Sequence, residues 1–217
     1  MQLINHVRGT VKSSFGARLP KCSAQSFHKK AAESLPEQLQ EDLQPVVEII
    51  ASLTEKIKDY DQRIEALVTE RYPQASLLQQ VVGVGALTAL SFVLTLEDPR
   101  RFRQSRAVGA YLGLAPGNDQ SGDSDPQKRI SREGDELLRR LLVGSAQHIL
   151  GPFGSDSDLR RHGEKIAQRG GKNAKKRAIV AVARKLAVLL HHLWISGEVY
   201  APLHNARCLD TQVEEVA

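Results

Sequence analysis

Apolar residues recur along this chain at spacings of three and four, with no run that alternates apolar and polar positions, so the pattern predicts an all-α fold. Its most regular part is Leu39, Leu43, Val46, Ile50, Leu53, Ile57, Tyr60, Ile64 and Leu67, separated by four and three in turn. Such an a/d seam, held over four heptads, marks a coiled coil or a long helix packed on one partner. Pro45 falls within it and predicts a kink or a restart, with the main helix running from about 45 to 70. Ser34-Leu-Pro36-Glu37 has the form of a capping box with proline in the first turn. Further upstream, Leu3, Ile4, Val7 and Val11 mark a short helix over 1–13 that stops at Phe15-Gly16, and 16–33 read as a mixed connector. Glu55, Lys58, Asp61 and Arg63 mix both signs on the flank of the seam, as a solvated face does. Two readings of the seam remain open: self-association, or an intramolecular hairpin with another helix.

Beyond Tyr72-Pro73, an apolar helix around Leu77-Leu78 meets Gly83-Val84-Gly85 and passes at once into a second apolar helix at Ala86-Leu87. Two glycines allow a tight turn and a close approach. The amides that open the second helix then point outward at the positive end of its dipole, which suits a phosphate. This pattern resembles a helix-hairpin-helix, a sequence-neutral grip on a DNA backbone; a plain helix-helix corner is the alternative. A dinucleotide fingerprint would need a preceding strand and a third glycine, and a P-loop would need Gly-Lys-Ser/Thr; none of these is present. A small-residue helix over Ala107–Leu114 follows and Pro116 closes it. Leu137, Leu138, Leu141, Leu142, Ala146 and Ile149 then give one face of a helix over 132–150. A last helix opens at Gly170-Gly171 and reaches Trp194. The organisation expected is a remnant and connector at 1–33, a coiled-coil helix at 34–72, a helical domain at 73–200 and a tail at 201–217.

Charge sharpens this picture. The chain of 217 residues carries a formal +5, yet residues 1–75 are balanced, with 10 Lys/Arg against 10 Asp/Glu. Residues 126–186 hold 15 basic against 6 acidic side chains, the electrostatic footprint of a polyanion binder. Cys22 and Cys208 are too far apart in sequence to suggest a ligand pair, which excludes a disulfide framework and a cysteine zinc site and fits a reducing cytoplasm. No apolar run approaches the ~20 residues of a membrane span, and the N-terminus lacks a signal pattern. The expectation is a cytoplasmic protein with no membrane partner.

Candidate chemistry gathers in two places. The loop over 116–131 contains Asp119, Ser121, Asp123 and Asp125 at alternate positions, but Ser124 stands where a calcium loop needs glycine and Ile130 where it needs glutamate. What remains is the hydroxyl of Ser121, flanked by Gly122 and followed by Lys128, Arg129 and Arg132, cations able to hold a phosphodiester. Near Gly170-Gly171, Lys172, Lys175, Lys176 and Arg177 crowd the start of the last helix. Cations there oppose the helix dipole unless an anion is bound, which makes this group a phosphate-contact candidate. His191-His192 lack a spaced third ligand and read as helix surface or core.

The chain resembles the C-terminal transposase domain of the insertion-sequence "one-ten" family, the DEDD transposases that act as RNA-guided DNA recombinases. The resemblance rests on Leu-Ile-Asn-His-Val-Arg-Gly (3–9), Val-Gly-Val-Gly-Ala-Leu-Thr-Ala (82–89), Ser-Arg-Ala-Val-Gly-Ala-Tyr-Leu-Gly-Leu-Ala-Pro (105–116), Gln-Ser-Gly-Asp (120–123), Arg-Ile-Ser (129–131) and Gly-Gly-Lys-Asn-Ala-Lys-Lys-Arg (170–177). It implies DNA as partner, with a guide RNA as a second candidate; the seam over 39–67 adds the expectation of a homo-oligomer joined through the coiled coil. It places the attacking serine of the family at Ser121. The family's metal carboxylates, on a RuvC-like domain that holds Mg²⁺, have no counterpart here, so the resemblance is to an N-terminally truncated member with no cofactor of its own. Two functions are expected from it: DNA binding with serine-mediated strand transfer in transposition, or a non-catalytic nucleic-acid-binding and dimerisation remnant.

Overall fold

A computed structural model describes residues 1–117 and 129–204. The described residues are helical without a strand; Pro116 and Ile130 form an isolated antiparallel bridge. The fold is all-α. The chain divides into two compact units, Met1–Arg63 and Ile64–Ala217.

In the first unit α1 (Gln2–Phe15), α2 (Phe27–Ser34) and the leading part of α3 (Glu37–Arg71) share one core. Ile4, Val7 and Val11 of α1 meet Phe27 and Ala31 of α2 and Leu39, Leu43, Val47 and Ile50 of α3. Gly16 ends α1 in a left-handed turn, φ 64°, with its amide donating to the Lys12 carbonyl. The connector expected over 16–33 therefore contains a helix, α2, whose eight residues offer too few turns for a periodic signal. Ser34 is the last residue of α2 and not the cap of the next helix. Pro45 lies inside α3 without ending it, so the helix does not restart there. The buried stripe of α3 runs through Val47, with Val46 partly covered, and then stops: Leu53, Ile57 and Tyr60 are 46%, 59% and 61% exposed.

The second unit takes in the end of α3, where Val68 is buried, and then α4 (Pro73–Leu78), α5 (Ala86–Leu96), a 3₁₀ turn at Pro99–Arg101 and α6 (Arg106–Tyr111). It continues with α7 (Glu136–Leu150), α8 (Asp158–Gln168) and α9 (Ala174–Ser196). α9 is the central helix and packs on α4, α6, α7 and α8. Among the described residues it is the one helix of a length and composition that could cross a membrane, which the run-length reading of the sequence overlooked. Its apolarity serves the core instead, where Ala178, Val182, Ala183, Leu186, Ala187, Leu190 and Leu193 are buried. Phe92 of α5 meets Trp194 edge-on, with ring centroids 6.4 Å apart.

α7 begins at Glu136, later than the pattern suggested, because Arg132 and Gly134 adopt left-handed backbone (φ 62° and 75°) and Asp135 is an extended cap. The Asp135 carboxylate accepts from the Leu138 amide at 2.6 Å. α8 was not foreseen: its Asp-Leu-Arg-Arg-His-Gly-Glu-Lys sequence is mostly charged and buries Leu159 and Gly163. The Ser157 hydroxyl caps it by accepting from the Arg160 amide at 3.2 Å. Gly163 is where α8 closes on its neighbours, since a Cβ there would lie 2.6 Å from a Leu150 methyl and 2.7 Å from a Val182 methyl.

Candidate nucleic-acid interface

The double-glycine corner joins α4 to α5, and its two glycines have different tasks. Gly83 has φ +92°, and a Cβ would stand 3.2 Å from the His148 ring and 3.3 Å from the Ser145 carbonyl oxygen. Its role is to turn the chain tightly against α7. Gly85 is the extended N-cap of α5, with open space where a Cβ would lie. Between residues 79–85 with Thr88 and the α7 side chains Arg140, Leu141, Ser145 and His148 lies an open groove of about 570 Å³. Gly83 and Gly85 therefore both border that groove, Gly83 being packed against α7 as well. Arg140 on its far side is largely exposed and loosely paired with Glu136 at 3.9 Å.

Ser121 and Lys128 lie outside the described residues. The two ends of their loop are described, and they are fastened together. The Gly117 amide donates to the Arg129 carbonyl and the Ser131 amide to the Ala115 carbonyl, each at 2.9 Å. The Arg132 amide donates to the Gly113 carbonyl at 3.2 Å. Arg139 of α7 ties both sides of this neck, its Nη1 donating to the Leu112 carbonyl at 3.1 Å and the Glu133 carbonyl at 2.7 Å. The side chains of Arg129 and Arg132 are exposed on the same neck.

The α8–α9 turn carries the other group. Gly170 and Gly171 are both left-handed (φ 74° and 91°), which no pair of side-chain-bearing residues would adopt cheaply. Lys172, Lys175, Lys176 and Arg177 are exposed, and the first turn of α9 contains no acidic residue. Among the described residues no carboxylate is ion-paired with any of the four. Arg177 Nη2 donates to the Gly170 carbonyl at 3.1 Å, which holds one guanidinium beside the turn. The opening amides of α9 have no intrahelical carbonyl to bond, so backbone and side chains present positive charge together. No hydrogen bond or ion pair among the described residues joins this group to Arg129 or Arg132.

Missing α8 in the sequence meant missing its cations. Lys165 on α8, Arg169 at its C-cap and Lys185 on α9 are exposed. Burial first, and then the charges of Lys185, Arg169 and Lys165, hold the His162 imidazole below the usual histidine range. The acids of this region are taken on other residues: Glu164 by Arg160 at 2.9 Å, and Asp156 by Arg161 at 2.7 Å.

His191 is fully buried. Its Nδ1 is 2.9 Å from the Ser105 hydroxyl and its Nε2 is 2.8 Å from the Pro99 carbonyl oxygen. Since the carbonyl accepts alone, Nε2 carries the proton and Nδ1 accepts from Ser105. It is a satisfied core histidine, and His192 is exposed beside Glu198 at 3.4 Å. Among the described residues no three His, Cys, Asp or Glu side chains are grouped as a metal site requires.

Comparison with known proteins agrees with the motifs. The family described as Transposase IS116/IS110/IS902 matches residues 75–162, from within α4 to the first turn of α8. The chain is 29% identical over 206 residues to the transposase for insertion sequence element IS1111A of Coxiella burnetii, covering 91% of this chain and 55% of that protein. It is 31% identical over 208 residues to a putative transposase of Sinorhizobium fredii, covering 92% of this chain and 52% of that one. The pilin gene-inverting protein of Moraxella bovis is 30% identical over 166 residues, 75% of this chain and 48% of its own length. The chain thus spans about half the length of the curated relatives it matches. By these matches and the motifs that carry them, residues 75–162 are similar to the IS116/IS110/IS902 family of transposases, and most of the chain is similar to about half of each of these relatives.

Proposed function

We propose that this chain grips the sugar-phosphate backbone of DNA and takes part in transposition by bringing a serine nucleophile to the strand. The observation that carries this reading is the cationic start of α9, where Lys172, Lys175, Lys176 and Arg177 stand exposed over a left-handed glycine turn with no described carboxylate partner. A bound phosphate turns that unfavourable arrangement into a favourable one. The Gly85 edge of the α7 groove, with Arg140 opposite, is a second backbone contact, of the helix-hairpin-helix kind. The fastened neck at Gly117 and Arg129 supports the role of the loop, because a nucleophile must be carried on a fixed base. The relatives' names, a transposase and a pilin gene-inverting protein, support a reading of the same kind.

In this reading the Ser121 hydroxyl attacks a phosphodiester and its proton leaves to a base. The P–O bond to the leaving strand end breaks, that end departs as a hydroxyl, and a serine phosphodiester ester links protein to DNA. Lys128, Arg129 and Arg132 hold the phosphate and offset its developing charge. Mg²⁺ chemistry would be supplied by carboxylates other than those described here. Two measurements test the reading. Binding of duplex DNA should weaken steeply as salt rises, with a log-log slope reduced by about 0.9 for each lysine removed that touches a phosphate. In a recombination assay supplied with a relative's carboxylate-bearing part, Ser121→Ala should abolish the covalent protein–DNA adduct on a denaturing gel. Adduct formation by Ser121→Ala removes the nucleophile claim.

A second reading, binding and self-association without strand transfer, is favoured by one feature. The seam residues Leu53, Ile57 and Tyr60 are bare on α3, with the heptad register of a coiled-coil partner face. In this reading a second copy of the chain covers them. A guide RNA as a further partner stands as a proposal on the family resemblance.

A further inference from the structure

The cations of the α8–α9 hairpin extend well beyond the helix start that the sequence singles out. His162 and Lys165 of α8 and Arg169 at its helical C-cap follow at intervals of three and four, so they share one face. From His162 to Arg169 they cover about 10 Å of helix axis at 1.5 Å per residue. Gly163 lets α9 approach α8 closely, and Lys185, one turn beyond Val182, acts on His162 from that helix. Toward the turn, the row continues into Arg177, which is pinned to the Gly170 carbonyl next to Arg169. Of the acidic side chains of α8, Glu164 is held by Arg160 and Asp158 opens the first turn, while Asp156 ahead of the helix holds Arg161. The hairpin is therefore electrically two-sided. One side holds these ion pairs; the other, beyond Asp158 in the first turn, presents Lys165, Arg169 and Lys185.

We propose that this second side, formed by His162, Lys165, Arg169 and Lys185, is a sugar-phosphate contact strip that prolongs the α9 phosphate cluster, with His162 as its pH-responsive member. The inference rests on the nucleic-acid reading above and deepens it by naming an extended track and its regulation. Ten ångströms of helix axis accommodate about three phosphates of one strand at roughly 3.4 Å of rise each. The charges acting on His162 come from Lys165 and Arg169 on its own helix and Lys185 on α9; α7, packed on α8 through Leu150, adds none among the described residues. Burial first, and then the three cations, make the imidazole resist protonation; a phosphate that enters offsets the cations' share. Once an anion is bound, the same proton is favoured, so binding tightens as pH falls.

The test is fluorescence anisotropy of the full chain with end-labelled duplex DNA, single-stranded DNA and single-stranded RNA of one sequence. The combined variant Lys165→Gln, Arg169→Gln, Lys185→Gln should bind about tenfold more weakly at low salt and lower the log-log salt slope by about 2.7, about 0.9 for each cation. Lys56→Gln with Lys58→Gln, on exposed positions of α3, should change neither. Lowering the pH from about 7.5 to about 5.5 should tighten binding by the parent chain severalfold, and His162→Gln should remove most of that gain. The oligonucleotide whose affinity falls most identifies which backbone occupies the strip. Circular dichroism melting confirms folding, and Lys185→Gln alone serves as the probe if the combined variant unfolds. If the parent chain binds none of the three, the nucleic-acid reading fails and takes the strip with it. If the parent binds and the combined variant keeps its salt slope, or His162→Gln keeps the full pH response, the strip is overturned while the α9 cluster stands.

Discussion

Gly113 and Glu133 meet backbone to backbone: a Cβ on Gly113 would overlap the Glu133 amide nitrogen and carbonyl oxygen, and Gly113 itself is left-handed at φ +66°. Gly134 stands in the same relation to the Tyr111 carbonyl oxygen. The two segments that enclose the serine loop are thus interlocked at its base, where Arg139 donates to both.

Gly113→Ala therefore meets two obstacles at once, a disfavoured φ and a backbone that cannot retreat. Gly170→Ala meets the first alone, since φ is +74° there and the space is open. The expected losses are more than about 3 kcal/mol for Gly113→Ala and about 1 kcal/mol for Gly170→Ala. Urea denaturation of the two variants checks this. Equal losses would mean that the neck yields and does not clamp its loop.

Arg160 is the second clamp. Its Nη1 donates to the carbonyls of Ile149, Gly151 and Gly154 at 2.9, 2.7 and 3.1 Å, and its Nε meets Glu164 at 2.9 Å. A planar fork can serve a carbonyl nest and a carboxylate together, whereas a lysine ammonium is a single point at the end of a flexible stem. Arg160→Ala should cost about 2–3 kcal/mol through unpaired carbonyls, and Arg160→Lys should recover less than half of that. Thermal melting of both variants decides it, and full rescue by lysine would show that charge suffices without the fork.

What the sequence disclosed follows from where the physics is periodic. α3, α5, α7 and α9 carry apolar residues at three and four, and their cores are legible: Leu138, Leu142, Ala146 and Ile149 are buried as the spacing implied, although Leu137 is half exposed. α8 was hidden because its burial relies on Leu159 and on a glycine, and a glycine at a helix contact carries no hydropathy signal. That omission also concealed Lys165 and Arg169, whose meaning depends on α9 lying alongside. The exposed cations Lys172, Lys175, Lys176 and Arg177 were readable because one helix start holds them all. The split between Gly83 and Gly85 was not readable, since it is set by His148 and Ser145, more than sixty residues away.

The bare seam on α3 yields a prediction about assembly. Ile57 is 59% exposed, so Ile57→Glu removes no buried contact of the chain and should change folding stability by less than about 0.5 kcal/mol. In a coiled-coil dimer the same substitution places two carboxylates at facing seam positions, which the pair cannot tolerate. Sedimentation equilibrium should therefore show self-association in the parent chain and a shift to monomer in Ile57→Glu. A parent chain that is monomeric at every concentration tested would end the self-association reading.

The last prediction concerns His162 in the absence of any ligand. Burial, then Lys185, Arg169 and Lys165, depress its folded value below the ~6.5 of an unfolded chain. As the pH falls through about 6.5, the unfolded chain takes up a proton that the folded chain refuses, so folding stability falls. The loss opens near that value and levels off once the folded imidazole also titrates. His162→Gln lacks this term, and its Tm should decline less than that of the parent between about pH 7 and about pH 5. Lys185→Gln should lie between the two, because it removes one of the charges that make protonation costly. A bound oligonucleotide should reverse the sign for the parent chain, since phosphates neutralise the same charges and favour the proton. Parallel melting curves for the parent and His162→Gln, with and without oligonucleotide, would show that the cations around His162 do not act on it as their placement requires.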